Sequence, residues 1–541
     1  MEKILSNQKG EKTILLGNEA VIRGALESGV GFVSTYPGTP ASEIGNIFYR
    51  IHKAAGVYFE FSTNEKVAME AGVGASYSGV KTLVAMKNFG LNVCIDSLMP
   101  FVYTGSPAPT VLMIADDASC WSSAQAEVNT RPYSYLAHIP TIEPSDPEEC
   151  KEYTKLAFDL SEKFKIPVML RLTTRVSHQQ QMVTLDEIQK PNPRGNFKKN
   201  PHQFVTLPPR VLEMKAELLE KIEKIRDFAE KSKINRIEGK KSNIGIITSG
   251  VSYLYIKEAL KELKLDIPIL KLGFFYPLPE KKIKSFLKGF KKILVVEELE
   301  NFLEREIRGL AKEANPKVKI SGKDLLSEVG ELRPENVIEA LAKFSGKKYL
   351  NPVAKTKAPI LKRKPQLCPG CPYWLVFSAV KKAVNEKEVI FGGDIGCYML
   401  AGNPPHYLQD YLSCMGSSIG IAHGIKKVSD QKLISFIGDS TFFHAGLPAL
   451  INTVINKSNP LIIIMNNQTT GMTGHQPHPA SANQEEPLKI EDVVKALGVK
   501  NMKIVDQGNQ EEMVATIKEF LNKDEVSVII ARRPCVFIAK K

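Results

Sequence analysis

Residues 437–467 read IGDSTFFHAGLPALINTVINKSNPLIIIMNN, in which two apolar runs flank a segment of helical length. This order predicts a strand, a helix and a second strand parallel to the first. The glycine that ends the first strand allows the backbone to approach a diphosphate, while the Asp439 carboxylate points outward. Because carboxyl ends of parallel strands share one sheet edge, the amide oxygen of Asn467 is expected beside it.

These oxygens suit a divalent metal. Mg²⁺ prefers hard oxygens and usually takes one or two protein side chains together with phosphate oxygens. We therefore predict a metal site made by Asp439, Asn467 and a backbone carbonyl near Thr469. An ordinary strand–helix–strand unit with a tight turn is the structural alternative.

The composition is that of a globular protein. The chain has 541 residues, 43% hydrophobic and 24% charged, and no apolar run is long enough to cross a bilayer. The N-terminal residues lack the apolar core of a signal peptide, and eight scattered cysteines suit a reducing compartment, so we expect a cytoplasmic protein without membrane association. The net charge of +13 comes from Lys and Glu interspersed along helical segments, which indicates a solvated surface rather than nucleic-acid binding.

Three α/β domains with mostly parallel sheets are predicted. Apolar runs alternate with helical segments in residues 1–185. Residues 186–241 are first rich in Pro, Asn and Lys and then amphipathic, which predicts a linker and a surface helix. The alternation resumes in residues 242–350 and again in 351–541, where four apolar runs predict four strands.

Two more glycine-rich loops occur in the last domain. They read GGDIGC at residues 392–397 and MGSSIG at residues 415–420. Each alone is a weak signal, but together with the Gly-Asp turn they favour a phosphate site.

Several motifs now point to one family. They are YPGTPASEI, TNEKVAMEAGVGAS, MKNFGLNV, EPSDPEE, TTRVSH, LCPGCP, GDIGCY, CMGSSIGIAHGI, GDSTFFHAGLPALINTVINKSN and TGMTGHQPHP. In this order they resemble the large (alpha) subunits of the indolepyruvate ferredoxin oxidoreductase family, which are thiamine-diphosphate-dependent 2-oxoacid oxidoreductases. The stretch from Gly-Asp to Asn-Asn resembles the family's thiamine-diphosphate motif, with Ser440 where a third glycine is usual.

The resemblance implies an architecture and a set of partners. It implies a pyrimidine-binding domain at 1–185, a transketolase-C-terminal-like domain at 242–350 and a diphosphate-binding domain at 351–541, with the first and last meeting at the active site across a dimer of alpha chains. Thiamine diphosphate and Mg²⁺ are the implied cofactors. A smaller beta subunit, ferredoxin or another electron carrier, and coenzyme A as acyl acceptor are the implied partners.

Glu65 and His475 are the expected catalytic residues. In the family the Glu of the Asn-Glu-Lys segment, here Glu65, stabilises the imino tautomer of the cofactor's pyrimidine, and burial should raise the pKa of its carboxyl. The structural alternative is a Glu that binds free amides at a helix start. His475 is expected either to hydrogen-bond over the cofactor or to be structural, since Pro477 and Pro479 exclude the helical spacing of a histidine metal pair.

Four residues are candidates for binding the substrate. Thr39 resembles the substrate-contacting threonine of the superfamily, and its alternative role is a turn hydroxyl that caps the next helix. Lys87 and Asn92 lie in the next strand-end loop. Trp121 opens a loop that departs from the family, in which a histidine and a more polar run are usual; if this loop lines the pocket, Trp121 changes its size and polarity.

The remaining cofactor positions follow from the resemblance. Cys368 and Cys371 look like half a zinc or iron–sulfur site, but the chain has no second CxxC, and in relatives this segment lies beside the thiamine site. The residues expected to contact the cofactor are Tyr36, Pro37, Gly38, Glu65, Cys371, Asp394, Gly396, Cys397, Met415, Gly416, Ser417, Gly438, Asp439, Ser440, Thr441, Asn467, Thr469, Gly471 and Met472.

One departure from the family leaves the chemistry open. Family members typically continue into a ferredoxin-like tail that binds iron–sulfur clusters, whereas this sequence ends six residues after Cys535. We therefore expect the clusters on another chain, or else a non-oxidative lyase that releases an aldehyde. A non-catalytic scaffold is a third reading, against which the retention of Glu65, Asp439 and Asn467 argues.

Overall fold

The computed structural model describes residues 2–240, 242–350, 364–482 and 484–539. They form two compact units, Met1–Thr356 (the N-terminal unit) and Lys357–Lys541 (the C-terminal unit), and each is described by itself. The predicted start of the last domain, at residue 351, lies outside the described residues.

The N-terminal unit contains a seven-stranded sheet and a short antiparallel pair. The pair is β1 (Lys12–Leu16) with β8 (Gln180–Thr184). The strands of the large sheet are β2 (Phe32–Thr35), β3 (Tyr58–Phe61), β4 (Thr82–Lys87), β5 (Thr110–Asp116), β6 (Thr141–Ile142), β7 (Val168–Thr173) and β12 (Phe274–Tyr276). Their order in space is β12-β6-β7-β5-β4-β2-β3, parallel throughout except that β12 runs antiparallel to β6. All residues of β5 and β7 are buried, as expected for central strands covered on both faces.

A second sheet of the same unit has five strands. They are β9 (Arg236–Glu238), β10 (Ile244–Ser249), β11 (Ile269–Leu272), β13 (Lys292–Val296) and β14 (Lys319–Ser321), in the order β14-β13-β10-β11-β9. The edge strand β9 is antiparallel to β11 and the other pairs are parallel. Because β12 follows β11 in the chain but joins the first sheet, the two sheets are interlocked.

Helices cover these sheets. Helix α9 (Arg210–Lys231) has the amphipathic pattern seen in the sequence and buries one stripe, which includes Met214, Leu218 and Ile222. The helices of the unit are α1 (Gly17–Glu27), α2 (Ser42–Ala55), α3 (Glu65–Tyr77), α4 (Asn88–Thr104), α5 (Arg131–Ala137), α6 (Pro147–Phe164), α7 (Thr174–His178), α8 (Pro201–Phe204), α9 (Arg210–Lys231), α10 (Ser252–Leu263), α11 (Glu280–Leu287), α12 (Phe302–Ala314) and α13 (Pro334–Ser345).

The C-terminal unit is built on one parallel sheet. Its strands are β15 (Val389–Gly392), β16 (Lys432–Gly438), β17 (Leu461–Asn466), β18 (Asn501–Asp506) and β19 (Ser527–Arg532), in the order β15-β16-β17-β19-β18. The four predicted strands are confirmed, and β18, which is mostly half-exposed and lacks a continuous apolar run, was missed. Successive residues of β17 alternate between two cores, with Ile463 on one face and Ile462 and Ile464 on the other.

The described residues of this unit form six α-helices. They are α14 (Tyr373–Ala383), α15 (Ser417–Val428), α16 (Asp439–Thr441), α17 (Leu447–Ile455), α18 (Ile490–Ala496) and α19 (Gln510–Phe520). Between α16 and α17 the chain passes through a π-helical turn, Phe442–Gly446, a feature that is frequent at functional sites. The predicted α/β class with mostly parallel sheets is confirmed.

Candidate functional site

Three neighbouring strands of the C-terminal unit end at the predicted metal and diphosphate site. Strand β15 pairs in parallel with β16, and β16 pairs in parallel with β17. The loops that follow them carry Asp394, Asp439 and Asn467, so these residues share one edge of the sheet. The structure therefore brings together the loops that the sequence singled out.

Asp439 is buried at the first residue of α16. Its Oδ1 accepts the backbone N–H of Ser440 at 2.9 Å, and its Oδ2 accepts that of Gln468 at 2.7 Å. The Nε2 of His478 lies 3.3 Å from the same Oδ2. The carboxylate is thus fixed between the end of β16 and the loop after β17. This contact of His478 was not predicted.

Asn467 lies next to several other predicted residues. Its Oδ1 accepts the backbone N–H of Thr469 at 3.2 Å, and both residues are buried. The position that a Cβ would take at Gly471 is 3.4 Å from Nδ2 of Asn467, 3.7 Å from Sγ of Cys397 and 3.8 Å from Cε1 of His475. Asn467, Cys397, Gly471 and His475 are therefore neighbours.

Asp394 braces the glycine-rich loops. Its Oδ1 accepts the N–H groups of Ile395 at 2.8 Å and Gly416 at 2.9 Å, and its Oδ2 accepts that of Ser418 at 2.9 Å. Burial raises the pKa of Asp394 to about 6, although these N–H groups lower it in part. The carboxylate is thus directed at protein amides, and it joins the loop after β15 to the start of α15.

Thr441 and Tyr398 connect the loop after β15 to the Gly-Asp turn. The hydroxyls of Thr441 and Tyr398 both donate to the carbonyl of Ile395, at 2.9 Å and 2.8 Å. The ring of Tyr398 also lies against Gly438, where a Cβ would be 2.7 Å from its Cε1. Tyr398 was not among the residues predicted from the sequence. Its ring packs against the Gly-Asp turn at Gly438.

The other predicted residues of this unit surround the same loops. The N–H and Oγ of Ser417 donate to the carbonyl of Cys414 at 3.1 Å and 2.6 Å, so this hydroxyl serves the turn itself. Ser440 Oγ accepts from Thr470 Oγ1 at 3.1 Å. Gly396 precedes the helical turn Cys397–Gly402.

Two methionines were also predicted at the cofactor. Met415 is half-buried next to the start of α15. Met472 is 43% exposed. These degrees of exposure leave both side chains partly accessible.

A mostly apolar cavity of about 90 Å³ lies beside Asn467. Burial raises the pKa of Cys371 to about 11 and that of Cys397 to about 12, so both are thiols at neutral pH. Within the described ranges, no three His, Cys, Asp or Glu side chains are arranged to hold a metal ion. The sequence paired two of the cysteines through their CxxC spacing, but the cavity wall includes four cysteines and a histidine: Cys368, Cys371, Cys397, Cys535 and His475.

In the N-terminal unit, Glu65 is the first residue of α3 and is 4% exposed. The side chain of Asn64 caps this helix by accepting the N–H of Val67 at 2.9 Å. A Cβ at Gly90 on α4 would lie 2.6 Å from Cγ and 3.1 Å from Oε1 of Glu65. A glycine at position 90 thus leaves room for the Glu65 carboxylate.

Lys87 ends β4 close to Glu65. Its side chain crosses Gly38, where a Cβ would lie 2.9 Å from the Cγ of Lys87. Burial lowers the pKa of Lys87, while the nearby negative charges of Glu65 and Asp117 raise it in part. The ammonium group also lies 5.3 Å from the ring centre of Phe89. A lysine with a lowered pKa therefore lies near Glu65.

The loop after β2 carries Tyr36, Pro37 and Thr39. Tyr36 is buried, and Pro37 and Gly38 continue the buried stretch. The Oγ1 of Thr39 lies 3.1 Å from Oγ of Ser42 in the first turn of α2, but the N-cap of this helix is Ala41, so the alternative role of Thr39 as a helix cap is not seen. The carbonyl of Thr39 accepts Ser122 Oγ at 3.1 Å, so this loop contacts the one that begins at Trp121.

Asn92 and Trp121 are both exposed. Asn92 was predicted in a strand-end loop, but α4 begins directly after β4 and includes it. Its amide oxygen accepts the hydroxyl of Tyr133. The indole of Trp121 is 55% exposed, and its N–H donates to Oε2 of Glu331 at 3.1 Å. Both side chains thus have a partner within the protein, and much of Trp121 remains exposed.

A buried charge network at the ends of other strands, β5, β6, β7 and β13, was missed. Nη2 of Arg171 lies 2.7 Å from Oδ2 of Asp116, and Arg131 pairs with Glu143 at 2.7 Å and with Glu297 at 2.8 Å. Burial raises the pKa of Glu143, but the two guanidinium groups overcome it and lower the pKa to about 2. Glu297 follows β13, so this network joins the strand ends of the two sheets. Charged residues within or just after apolar strands, such as Asp116, Arg171 and Glu143, were the available signal.

Comparison with known families defines the class of protein. The family model "Pyruvate flavodoxin/ferredoxin oxidoreductase, thiamine diP-bdg" matches residues 23–221, and "Indolepyruvate oxidoreductase domain" matches residues 235–347. The model "Thiamine pyrophosphate enzyme, C-terminal TPP binding domain" matches residues 394–531. The three matches together are those of a thiamine-diphosphate-dependent oxidoreductase.

Individual relatives narrow this class. The chain is 44% identical to indolepyruvate oxidoreductase subunit IorA of Methanothermobacter marburgensis, over 99% of this chain and 89% of that protein. It is 42% identical to the subunit of the same name from Pyrococcus horikoshii, over 98% of this chain and 87% of that protein. The chain therefore belongs to the family of indolepyruvate oxidoreductase IorA subunits.

A solved structure supports the fold. The chain resembles a 2-oxoglutarate:ferredoxin oxidoreductase from Magnetococcus marinus, solved with 2-oxoglutarate, coenzyme A and succinyl-CoA bound, with a TM-score of 0.51 and 17% identity. The match covers 61% of this chain and 65% of that chain. No helix among the described residues is both long and apolar enough to span a membrane.

Proposed function

We propose that this chain is the catalytic alpha subunit of an oxidoreductase that converts an arylpyruvate, of the indolepyruvate type, to an acyl-CoA with release of carbon dioxide. Electrons pass to ferredoxin or another external carrier. The observation that carries the proposal is the identity of 40–44% to six indolepyruvate oxidoreductase subunits along 98–99% of this chain.

The donor atoms at the strand ends of the C-terminal unit fit Mg²⁺ and a diphosphate. Asp439 offers one buried carboxylate, and Asn467 offers an amide oxygen one strand away. Mg²⁺ usually keeps only one or two protein side chains and takes its other ligands from phosphate and water. Asp439, Asn467 and the carbonyl of Thr469 would therefore hold the metal. When bound, thiamine diphosphate supplies the carbanion chemistry that decarboxylation of a 2-oxoacid requires.

Glu65 is proposed to act on the pyrimidine ring of the cofactor. Its carboxylate is buried, its helix is capped by Asn64, and Gly90 leaves it space. A buried carboxyl can hold a proton at one oxygen and orient a ring nitrogen. Position and environment thus suit the role that the family assigns to this glutamate.

Lys87 and Thr39 are proposed to bind the substrate. The Lys87 ammonium is a donor for the substrate carboxylate, and burial would strengthen that interaction because water is excluded. Thr39 lies on the neighbouring loop, where Ser122 fixes its carbonyl. The aromatic residue of the adjoining loop, Trp121, offers apolar surface for an aryl side chain.

The family relationship also supports partners. An IorA chain is named as a subunit, so we propose a smaller beta subunit as the partner of this one. Dimerisation of the alpha chain, ferredoxin as carrier, iron–sulfur clusters on another chain and a cytoplasmic location are part of the same proposal.

The test is reduction of a low-potential viologen dye by the chain co-expressed with its beta subunit. Indolepyruvate, phenylpyruvate and pyruvate are compared, each with and without coenzyme A, and a Glu65→Gln variant serves as the inactive control. Reduction that requires coenzyme A and is fastest with arylpyruvates would support the proposal. Carbon dioxide and aldehyde without dye reduction would replace it with a non-oxidative decarboxylase, and the absence of any turnover would favour a scaffold.

A further inference from the structure

Trp121 follows a strained turn. Ser119 (φ 64°) and Cys120 (φ 51°) are consecutive non-glycine residues with left-handed backbone conformations. Such residues are uncommon, because their Cβ crowds the backbone, and two in sequence persist only where the surroundings fix them. Strain of this kind is concentrated at functional sites. Contacts from other segments must therefore stabilise the turn that precedes Trp121.

A loop of the N-terminal unit that is distant in sequence provides those contacts. We call residues 327–332 the clasp loop. The N–H of Glu331 donates to Oγ of Ser119 at 2.7 Å, and Glu127 accepts the N–H of Gly330 at 3.0 Å and that of Ser119 at 2.5 Å. A Cβ at Gly330 would lie 3.1 Å from the Ser119 hydroxyl, so the backbone of the clasp loop lies directly against the Ser119 side chain. The clasp loop thus fixes the strained turn.

The side chain of Glu331 binds the indole of Trp121 directly. Its carboxylate is 3% exposed and is held by Arg175 of α7, whose Nε donates to Oε1 and whose Nη2 donates to Oε2 at 2.8 Å. The same Oε2 accepts the indole N–H of Trp121 at 3.1 Å. The indole is 55% exposed, so its polar edge is bound while much of its ring is open. Glu331 therefore fixes the orientation of an exposed aromatic surface.

Both residues next to Trp121 in the chain lie near candidate substrate residues. Ser122 donates to the carbonyl of Thr39 at 3.1 Å and to Oδ2 of Asp117 at 3.0 Å. Cys120, on the other side, is close enough to Lys87 for its thiol and the ammonium to interact electrostatically. Trp121 thus stands between a residue that touches the Thr39 loop and one that lies near Lys87.

We propose that Glu331 is a positioning residue that holds the Trp121 indole as a wall of the pocket for the substrate side chain, and so favours aryl over small 2-oxoacids. The inference rests on the proposed function and names the residues that set its substrate preference. An aryl side chain gains from offset or edge contacts with a fixed indole, whereas a methyl group offers little surface for them. Fixing the indole in advance also lowers the entropy lost on binding.

The first test reads the indole directly, without turnover. The chain has two tryptophans, so Trp374→Phe leaves Trp121 as the only tryptophan of the purified full chain. In this background, Glu331→Ala should shift the Trp121 emission to the red and lower its anisotropy, and Glu331→Gln, which keeps an acceptor oxygen, should do so less. Glu328→Gln removes an exposed carboxylate from the same loop and should change neither property. Unchanged emission in Glu331→Ala would overturn the positioning role.

The second test measures preference in the complex with the beta subunit. Glu331→Ala should raise KM for phenylpyruvate about tenfold, the loss expected for one fixed aromatic contact, with kcat nearly unchanged and KM for pyruvate unaltered. An equal change for both substrates would overturn the proposal, because a general loosening of the fold would act on both. Circular dichroism of each variant checks folding, and Glu331→Gln supplies a conservative substitution should the alanine variant fail to fold.

The two proposals fail in different ways. If the wild-type complex oxidises no 2-oxoacid, the proposed function is wrong, whatever Glu331 does. Quenching of Trp121 by phenyllactate but not by lactate, lost in Glu331→Ala, would then still support the aromatic wall. Equal quenching by both acids would refute it.

Discussion

Substituting alanine for Gly90 separates the position of Glu65 from the stability of the protein. The added Cβ would lie 2.6 Å from Cγ of Glu65, so that side chain must retreat by roughly 0.8 Å to reach an ordinary contact of 3.4 Å. A misplacement of about 1 Å costs on the order of 100-fold in rate at a catalytic group. We therefore expect kcat for phenylpyruvate in the dye assay to fall about 100-fold.

The same substitution should change stability little. Overpacking costs about 1–3 kcal/mol, while replacing a glycine inside α4 with alanine contributes about 1 kcal/mol of helix stability, so the net loss is at most about 2 kcal/mol. Thermal unfolding measures this loss. Gly74→Ala in α3 is the matched control, because its Cβ would meet nothing within 4 Å, and it should keep full activity. Wild-type kcat in a folded Gly90→Ala variant would refute the assignment of Glu65.

Three further predictions concern single carboxylates. Glu65→Gln should lower kcat at least about 100-fold while cofactor binding and thermal stability are retained, as expected for loss of an acid–base group, and unchanged turnover would contradict the role. Asp439→Ala should abolish Mg²⁺-dependent retention of thiamine diphosphate on gel filtration, and undiminished retention would exclude the metal site. Asp394 has a folded pKa of about 6, above its ordinary value of 3.8, so its contribution to stability is greatest below pH about 4 and is lost as pH rises through 6. The free energy of unfolding should therefore fall by about 3 kcal/mol more over this range in the wild type than in Asp394→Asn, as followed by urea denaturation, and equal slopes would contradict the shift.

The sequence predicted which loops meet, because simple rules govern parallel sheets. Asp439 and Asn467 end two strands joined by one helix, and such strands lie side by side with their carboxyl ends together. The direction in which each side chain points was harder to predict from the sequence. Asp394 was expected at the cofactor, yet its carboxylate turns to the amides of Gly416 and Ser418, a choice set by the path of two loops.

Contacts between distant segments were not predictable from one sequence. His478 reaches Asp439 only because the loop after β17 folds back over the sheet edge. Cys535 lines the same cavity as the CxxC cysteines although more than a hundred residues separate them in the chain. The clasp loop and Trp121 are similarly far apart, and no local pattern signals their pairing. Strand β18 was missed for a different reason, since edge strands that are half-exposed carry a weak apolar signal.

Strand β12 has a consequence for how this protein can have been assembled. The segment Phe274–Tyr276 leaves the second sheet to pair with β6, and Asn235 fixes its start by accepting the N–H groups of Gly273 at 2.8 Å and Phe274 at 3.0 Å. Recombination between relatives therefore cannot exchange the region of the second sheet as a separate unit, because β12 is the edge strand of the first sheet and would be lost with it. Natural chimaeras within this family should have their crossover points outside the interlocked region, and a swap made within it should yield protein that aggregates through the exposed strand.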